Sequence, residues 1–161
     1  MHASFKALAL LAVVASASAS SFKLKAHVTD NDLTPSIEGQ EMSVQLNNGI
    51  AYLAQPGSGA TFSDVWDSID TDATGVTTHI HIAPGGTATV PSTNVIVFDT
   101  EQGTQGVSVV TGQLAYANGA FTACPANILG QDSDNVLISF KSGGQRTLFG
   151  CADIILEASY Q

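Results

Sequence analysis

Basic side chains are nearly missing. The 161 residues hold five Lys and Arg against fourteen Asp and Glu, a formal charge of -9. A phosphate-binding surface needs clustered Lys or Arg, so nucleic acid and anionic membrane lipid are excluded as expected partners. Charged residues of both signs make up only 12% of the chain. That is about half the usual share, and it leaves solubility to Ser, Thr, Asn, Gln and Gly. No N-x-[ST] triplet occurs, so N-glycosylation has no acceptor. No G-x-S-x-G elbow occurs either, and no motif calls for a cofactor. Aromatic residues are 7% of the chain, with a single Trp. The apolar fraction, 44%, is nonetheless ample for a packed core and argues against a disordered chain.

The longest apolar run, Ala7 to Val14, is too short to cross about 30 Å of hydrocarbon as a helix. It follows Lys6 and precedes small residues, Ala15, Ala17 and Ala19 alternating with serines. That order predicts a secretory leader over 1–19, with cleavage near Ala19–Ser20 and one mature domain over 20–161. Removing Lys6 takes the formal charge to -10. The expected location is extracellular or in the cell wall.

Two cysteines, Cys124 and Cys151, lie in the mature region. In an exported chain such a pair is expected to form a disulfide. The loop it closes, about 28 residues, corresponds to roughly 3–4 kcal/mol.

Apolar residues recur with a period of two along most of the mature chain. Phe22, Leu24, Ala26 and Val28 alternate with Lys23, Lys25, His27 and Thr29, the pattern of a half-buried strand. Met42 to Leu46 and Ile50 to Ala54 flank Asn48-Gly49 and predict a hairpin. Phe62, Val65, Trp66 and Ile69 fall at helical spacing, so a short helix fits there. Further strands are expected at Thr78–Ile82, Thr87–Val90, Asn94–Phe98 and Gly106–Val110. Asn118-Gly119 predicts a second hairpin, between Gly112–Ala117 and Ala120–Cys124. Lys141 to Gly144 predicts a third, between Asn135–Phe140 and Gln145–Phe149, before a last strand at Asp153–Ala158. About ten short strands with turn residues between them predict an antiparallel β-sandwich or barrel.

Candidate chemistry is sparse. His79 and His81, two residues apart on one strand, share a face, and His27 offers an imidazole from another strand. A metal would need that third ligand. The ordinary alternative is an exposed pair whose neighbours, Ile80 and Ile82, feed the core. Asp67, Asp70 and Asp72 with Gly75 form an acidic stretch that could wrap a cation, and so do Asp132 and Asp134. Neither has EF-hand spacing, and a solvated turn accounts for each. Trp66, Tyr52, Tyr116 and Tyr160 could stack on sugar rings or pack in the core. No base with an orienting partner is visible, so catalysis is not expected.

The C-terminal half carries a resemblance. Gly112-Gln-Leu-Ala-Tyr-Ala-Asn-Gly-Ala-Phe-Thr-Ala-Cys124-Pro125, then Gly150-Cys151-Ala-Asp-Ile-Ile-Leu156, resembles small secreted fungal cell-wall proteins of the phialide type, some of them IgE-binding. The resemblance implies a wall-associated, non-enzymatic protein. Three functions follow from the sequence: a structural wall or surface protein, a recognition module for polysaccharide or a host surface (an elicitor or allergen), and a small metal enzyme built on His79 and His81. Oligomeric state is not legible, because an exposed sheet edge can pair or be capped.

Overall fold

The structure, a computed structural model, describes residues 19–161. The expected leader lies almost wholly outside them. Twelve strands follow one another: β1 (Ser21–Asp30), β2 (Glu41–Val44), β3 (Ala51–Ala54), β4 (Phe62–Val65), β5 (Ser68–Thr71), β6 (Thr78–His81), β7 (Val97–Asp99), β8 (Val107–Val110), β9 (Gln113–Tyr116), β10 (Ala120–Pro125), β11 (Val136–Lys141) and β12 (Ala152–Tyr160). Between sandwich and barrel, the strand pairing decides for a barrel. It closes through β1, β2, β3, β11, β10 and β12, each antiparallel to its neighbours.

The spine is the ribbon of β1 and β12, in register from Phe22 opposite Tyr160 to Val28 opposite Ile154. Alternation works here as the sequence requires. Phe22, Leu24, Ala26, Ile154 and Leu156 point into the core, while Lys23, Lys25 and His27 point out. Met42, Leu53, Phe121 and Ile138 complete the barrel interior. Each such side chain contributes about 1.5–3 kcal/mol by leaving water.

Both ribbon strands outrun the barrel and carry extra strands. β4 pairs with the start of β1, and β5, β6 and β7 extend from it. β9 pairs with the end of β12 at Gln113–Glu157, and β8 lies outside β9. β8 also packs against the β4–β5 hairpin. Val109 donates its N–H to Asp64 Oδ2 at 3.1 Å, and Gly106 donates to the carbonyl of Asp67 at 2.9 Å.

Several expectations are corrected. Residues 62–69 form no helix. Phe62 and Ile69 are both buried, but on two strands of a hairpin, a placement that i, i+3, i+4 spacing does not exclude. Its two-residue turn is Trp66-Asp67, both at positive φ (51° and 64°). The β8–β9 turn, Thr111-Gly112, has the same character (50° and 81°). These are the geometries that suit the twist of paired strands. The Asn48-Gly49 hairpin is present with a longer, four-residue connection, Gln45 pairing with Ile50 across it. The Asn118-Gly119 hairpin is absent: β12 lies between β9 and β10. Gly119 is needed there because a side chain would strike the Phe140 ring.

The third hairpin is absent too. β11 ends at Lys141, and 145–149 is loop. Gln145 spends its amide on the carbonyls of Gly85 and Thr87, both at 2.8 Å, and accepts from Ser142 N–H at 2.7 Å. That clasp replaces strand pairing. Thr87–Val90 is likewise no strand, only a loop closed by one bridge between Gly86 and Pro91. Val95 and Ile96 dock on β11 and β3 before β7 begins.

Cys124 and Cys151 form the expected disulfide, with Cα atoms 4.3 Å apart. They are the next cross-strand pair beyond Ala123–Ala152. The bridge sits in a second, smaller core with Ile50, Ala126, Leu129 and Leu137. A 3-10 turn over Ala126–Leu129, which strand periodicity does not announce, covers it.

Candidate functional site

The outer face of β4–β7 carries one polar row. Ser63, Asp70, His79 and Asp99 stand opposite one another on successive strands. Antiparallel pairing puts their side chains on the same side, because Ile69, Ile80 and Phe98 take the inner face. His79 Nδ1 lies 2.7 Å from Asp70 Oδ1, a hydrogen bond. His81 Nε2 lies 2.8 Å from Asp99 Oδ1 without forming a hydrogen bond to it. His79 and His81 therefore share a face, as expected. His27 is elsewhere, on the barrel wall, with Nδ1 3.0 Å from Glu38 Oε1. That hydrogen bond, with the Glu38 charge, raises the His27 pKa above its ordinary value. Each of the three histidines has its own carboxylate. Among the described residues, no three His, Cys, Asp or Glu are grouped to hold a metal.

β5 and β6 separate beyond the Asp70–His79 pair, and the segment 103–106 wedges between them. Thr104 donates its N–H to the Ile80 carbonyl at 2.8 Å, and its Oγ1 accepts from Ile82 N–H at 2.9 Å. Gly103 then sits directly over Ser68 and His79, with no room for a side chain. A cleft of about 450 Å³ remains, lined by Trp66, Ser68, Asp70, His79, Gln102 and Gln105 among others.

Two of its residues are out of their ordinary state. Trp66 is 91% exposed at the hairpin tip, on a positive-φ backbone that bulky residues seldom adopt. Ser68 is only 5% exposed, and its Oγ has no hydrogen-bond partner among the described residues. A large apolar ring held in water and a buried hydroxyl left open are both costly, and they line the same cleft.

The other candidates do not gather there. Asp67 is at the hairpin tip, Asp70 is turned to His79, and Asp72 accepts from the Thr77 hydroxyl at 2.6 Å in the β5–β6 turn with Gly75. The three carboxylates do not wrap one point. Asp132 and Asp134 lie in the loop after the 3-10 turn. Tyr52 packs against the disulfide core. Tyr116 lies on Phe140 with ring centroids 5.3 Å apart, and Tyr160 stands edge-on to Phe22 at 5.6 Å. Phe149 is fully exposed beside Arg146, in a groove with Asn31 to Leu33 that holds no unpartnered buried group.

A family model described as a domain of unknown function, DUF7907, matches residues 19–160, almost all of the described chain. The chain belongs to the DUF7907 family. No curated protein matches it, and no solved structure does. For this DUF7907 member the cleft is thus known by its geometry alone. Of its lining, sequence reasoning reached Trp66, Asp70 and His79. It missed Ser68, Gln102 and Gln105, which nothing in a Ser- and Gln-rich chain distinguishes. The signal that was available is Trp-Asp in a turn between two strand-length segments.

Proposed function

We propose that this is a non-enzymatic, extracellular, wall-associated recognition protein that holds a polysaccharide in the Trp66 cleft. The observation that carries the proposal is the free indole of Trp66 at the mouth of a polar cleft. A sugar ring has an apolar face that can cover the indole and a rim of hydroxyls for Gln102 and Gln105. The strong negative charge disfavours acidic polymers. The leader-like N-terminus, the disulfide and the resemblance to fungal wall proteins support an address outside the cell. Binding is favoured over turnover because the Ser68 hydroxyl, beside His79, is covered by Gly103 and has no hydrogen-bond partner among the described residues, so it is not set up as a nucleophile.

Trp66 is the only tryptophan, so intrinsic tryptophan fluorescence reports on the cleft alone. The expected result is a blue shift of its emission on adding soluble chitin or β-glucan oligomers, and co-sedimentation of the protein with the insoluble polymers. Trp66→Ala should weaken sedimentation about tenfold, the loss of one stacked ring. Trp66→Asn should do the same while keeping a residue suited to positive φ. Undiminished sedimentation of both folded variants would refute the proposal.

A further inference from the structure

We infer that the Trp66 cleft is one end of a longer trough, and that the polysaccharide lies along it over several consecutive sugar units. The inference rests on the recognition proposal and adds the length of chain that is gripped. The polar row on the outer face reaches one strand further than the cleft. Ser21 on β1 stands opposite Ser63 on β4, which stands opposite Asp70 on β5 and, through it, His79 on β6. Neighbouring strands are about 4.8 Å apart, so the row offers one polar side chain at each such step. Along β4 the same face carries Thr61, Ser63 and Val65, because Phe62 turns into the core.

A second hollow, about 640 Å³, lies on this face. Ser21, Thr61, Ser63 and Thr71 line it, and it shares Val65 and Asp70 with the Trp66 cleft. The two hollows therefore meet on the β4–β5 hairpin. From Val65 to Thr61 the extended chain covers about 13 Å, and the indole lies beyond Val65. The lining changes along the way. At one end stand the aromatic ring and two amides, and at the other small hydroxyl side chains, Thr61 exposed and Ser21 and Ser63 half-buried. Asp70, at the junction, gives one oxygen to His79 and keeps the other as an acceptor for a sugar hydroxyl. The floor is held in advance, since Thr71 donates its hydroxyl to the Thr61 carbonyl at 2.7 Å. Ala19 borders the far end and departs with the expected leader, which leaves the trough open there. An extended peptide fits this surface less well than a sugar chain does. β4 and β5 are each paired on both sides, so neither offers a free edge for strand addition.

The test titrates the full mature chain, followed by Trp66 emission, with chitin and β-glucan oligomers, each from dimer to hexamer. For the oligomer that binds, affinity should rise about threefold with each added unit, the size of one net hydrogen bond, and level off at about four units, where a chain starting on the indole has passed Ser63 and reached Thr61. Ser63→Gln and Thr61→Gln each put bulk into the second hollow from an outward-facing position. Either should bring the ratio of hexamer to dimer affinity close to one, and either alone serves should the other fail to fold. Equal binding of dimer and hexamer by the wild type, with Trp66 responding, would overturn the trough and leave the recognition proposal standing. A large ratio that neither folded variant changes would place the added units elsewhere and overturn it too. Silence of Trp66 towards every saccharide would remove the recognition proposal and the inference together.

Discussion

Replacing both cysteines, Cys124→Ala with Cys151→Ala, removes the staple without leaving a stray thiol. The bridged residues are 27 apart in sequence. In the chain-entropy model a closed loop of 28 residues lowers the entropy of the unfolded chain enough to stabilise the fold by about 3.6 kcal/mol. Within that loop lie the 3-10 turn, the 142–150 loop and β11, one of the six barrel strands. Both cysteines are buried, at 1% and 2% exposure, and alanine leaves a small void against Ile50 and Leu137 that adds to the loss. Residues 19–161 melt with an entropy of about 0.3 kcal/mol/K, so the midpoint should fall by about 12 °C. Calorimetry on wild type and double variant, each with and without reductant, measures it. Reductant should lower the wild-type midpoint nearly to that of the variant and leave the variant alone. A denaturant titration should also show a steeper slope for the variant, whose unfolded chain is less constrained. A midpoint shift of less than a quarter of the expected value would mean that the reduced, unfolded chain already holds this loop closed, and the entropy argument would fail.

Two further outcomes are expected on stability. Gly49 combines a positive φ (71°) with a position where an added Cβ would stand 2.0 Å from the Phe98 carbonyl oxygen. Gly49→Ala should therefore cost about 2–4 kcal/mol in chemical denaturation, backbone strain plus overpacking. Gly57→Ala, also at positive φ but with open space around it, should cost only the strain, about 1–2 kcal/mol, and equal losses would refute the packing argument. On the acid side, burial pushes the Glu41 pKa up, but the N–H groups of Gly59 and Gly57 and the Lys23 ammonium outweigh it and hold it below the ordinary 4.5. Glu38 is lowered as well, by the Val28 N–H and then by His27. Stability from such groups is complete above about pH 4.5 and is lost as pH falls through their lower folded values. The melting midpoint should decline in that window, less steeply in Glu41→Gln. His27 has the opposite sign. Its raised value means that its contribution is complete below 6.5 and disappears as pH rises past the folded value, and His27→Ala should flatten that part of the profile.

The sequence alone determined what local periodicity and composition control. The alternation from Phe22 to Val28 sets a strand, and the same reading along the chain makes the domain all-β, because side-chain direction in a strand follows from the backbone with no help from distant residues. Two cysteines in a chain that reads as exported were enough to expect the disulfide, and the shared face of His79 and His81 was fixed by their i, i+2 spacing. Turn signals proved weaker, because the same dipeptide serves more than one purpose. Asn118-Gly119 reads as a hairpin, yet its glycine is there to clear Phe140, and β12 takes the place of the expected partner. Trp66-Asp67 reads as helix and is a tight turn, since propensity at two positions yields to the strand pairing on either side. Tertiary structure alone decided the barrel, because closure depends on the pairing of β1 with β12, whose nearest ends, Asp30 and Ala152, are 122 residues apart in sequence. It also decided the cleft. Asp70 and His79 are brought together by register, and Gly103 is placed over Ser68 by a wedge between two diverging strands. Neither relation has a local signature, because both arise from pairings between segments that carry no record of each other in the chain.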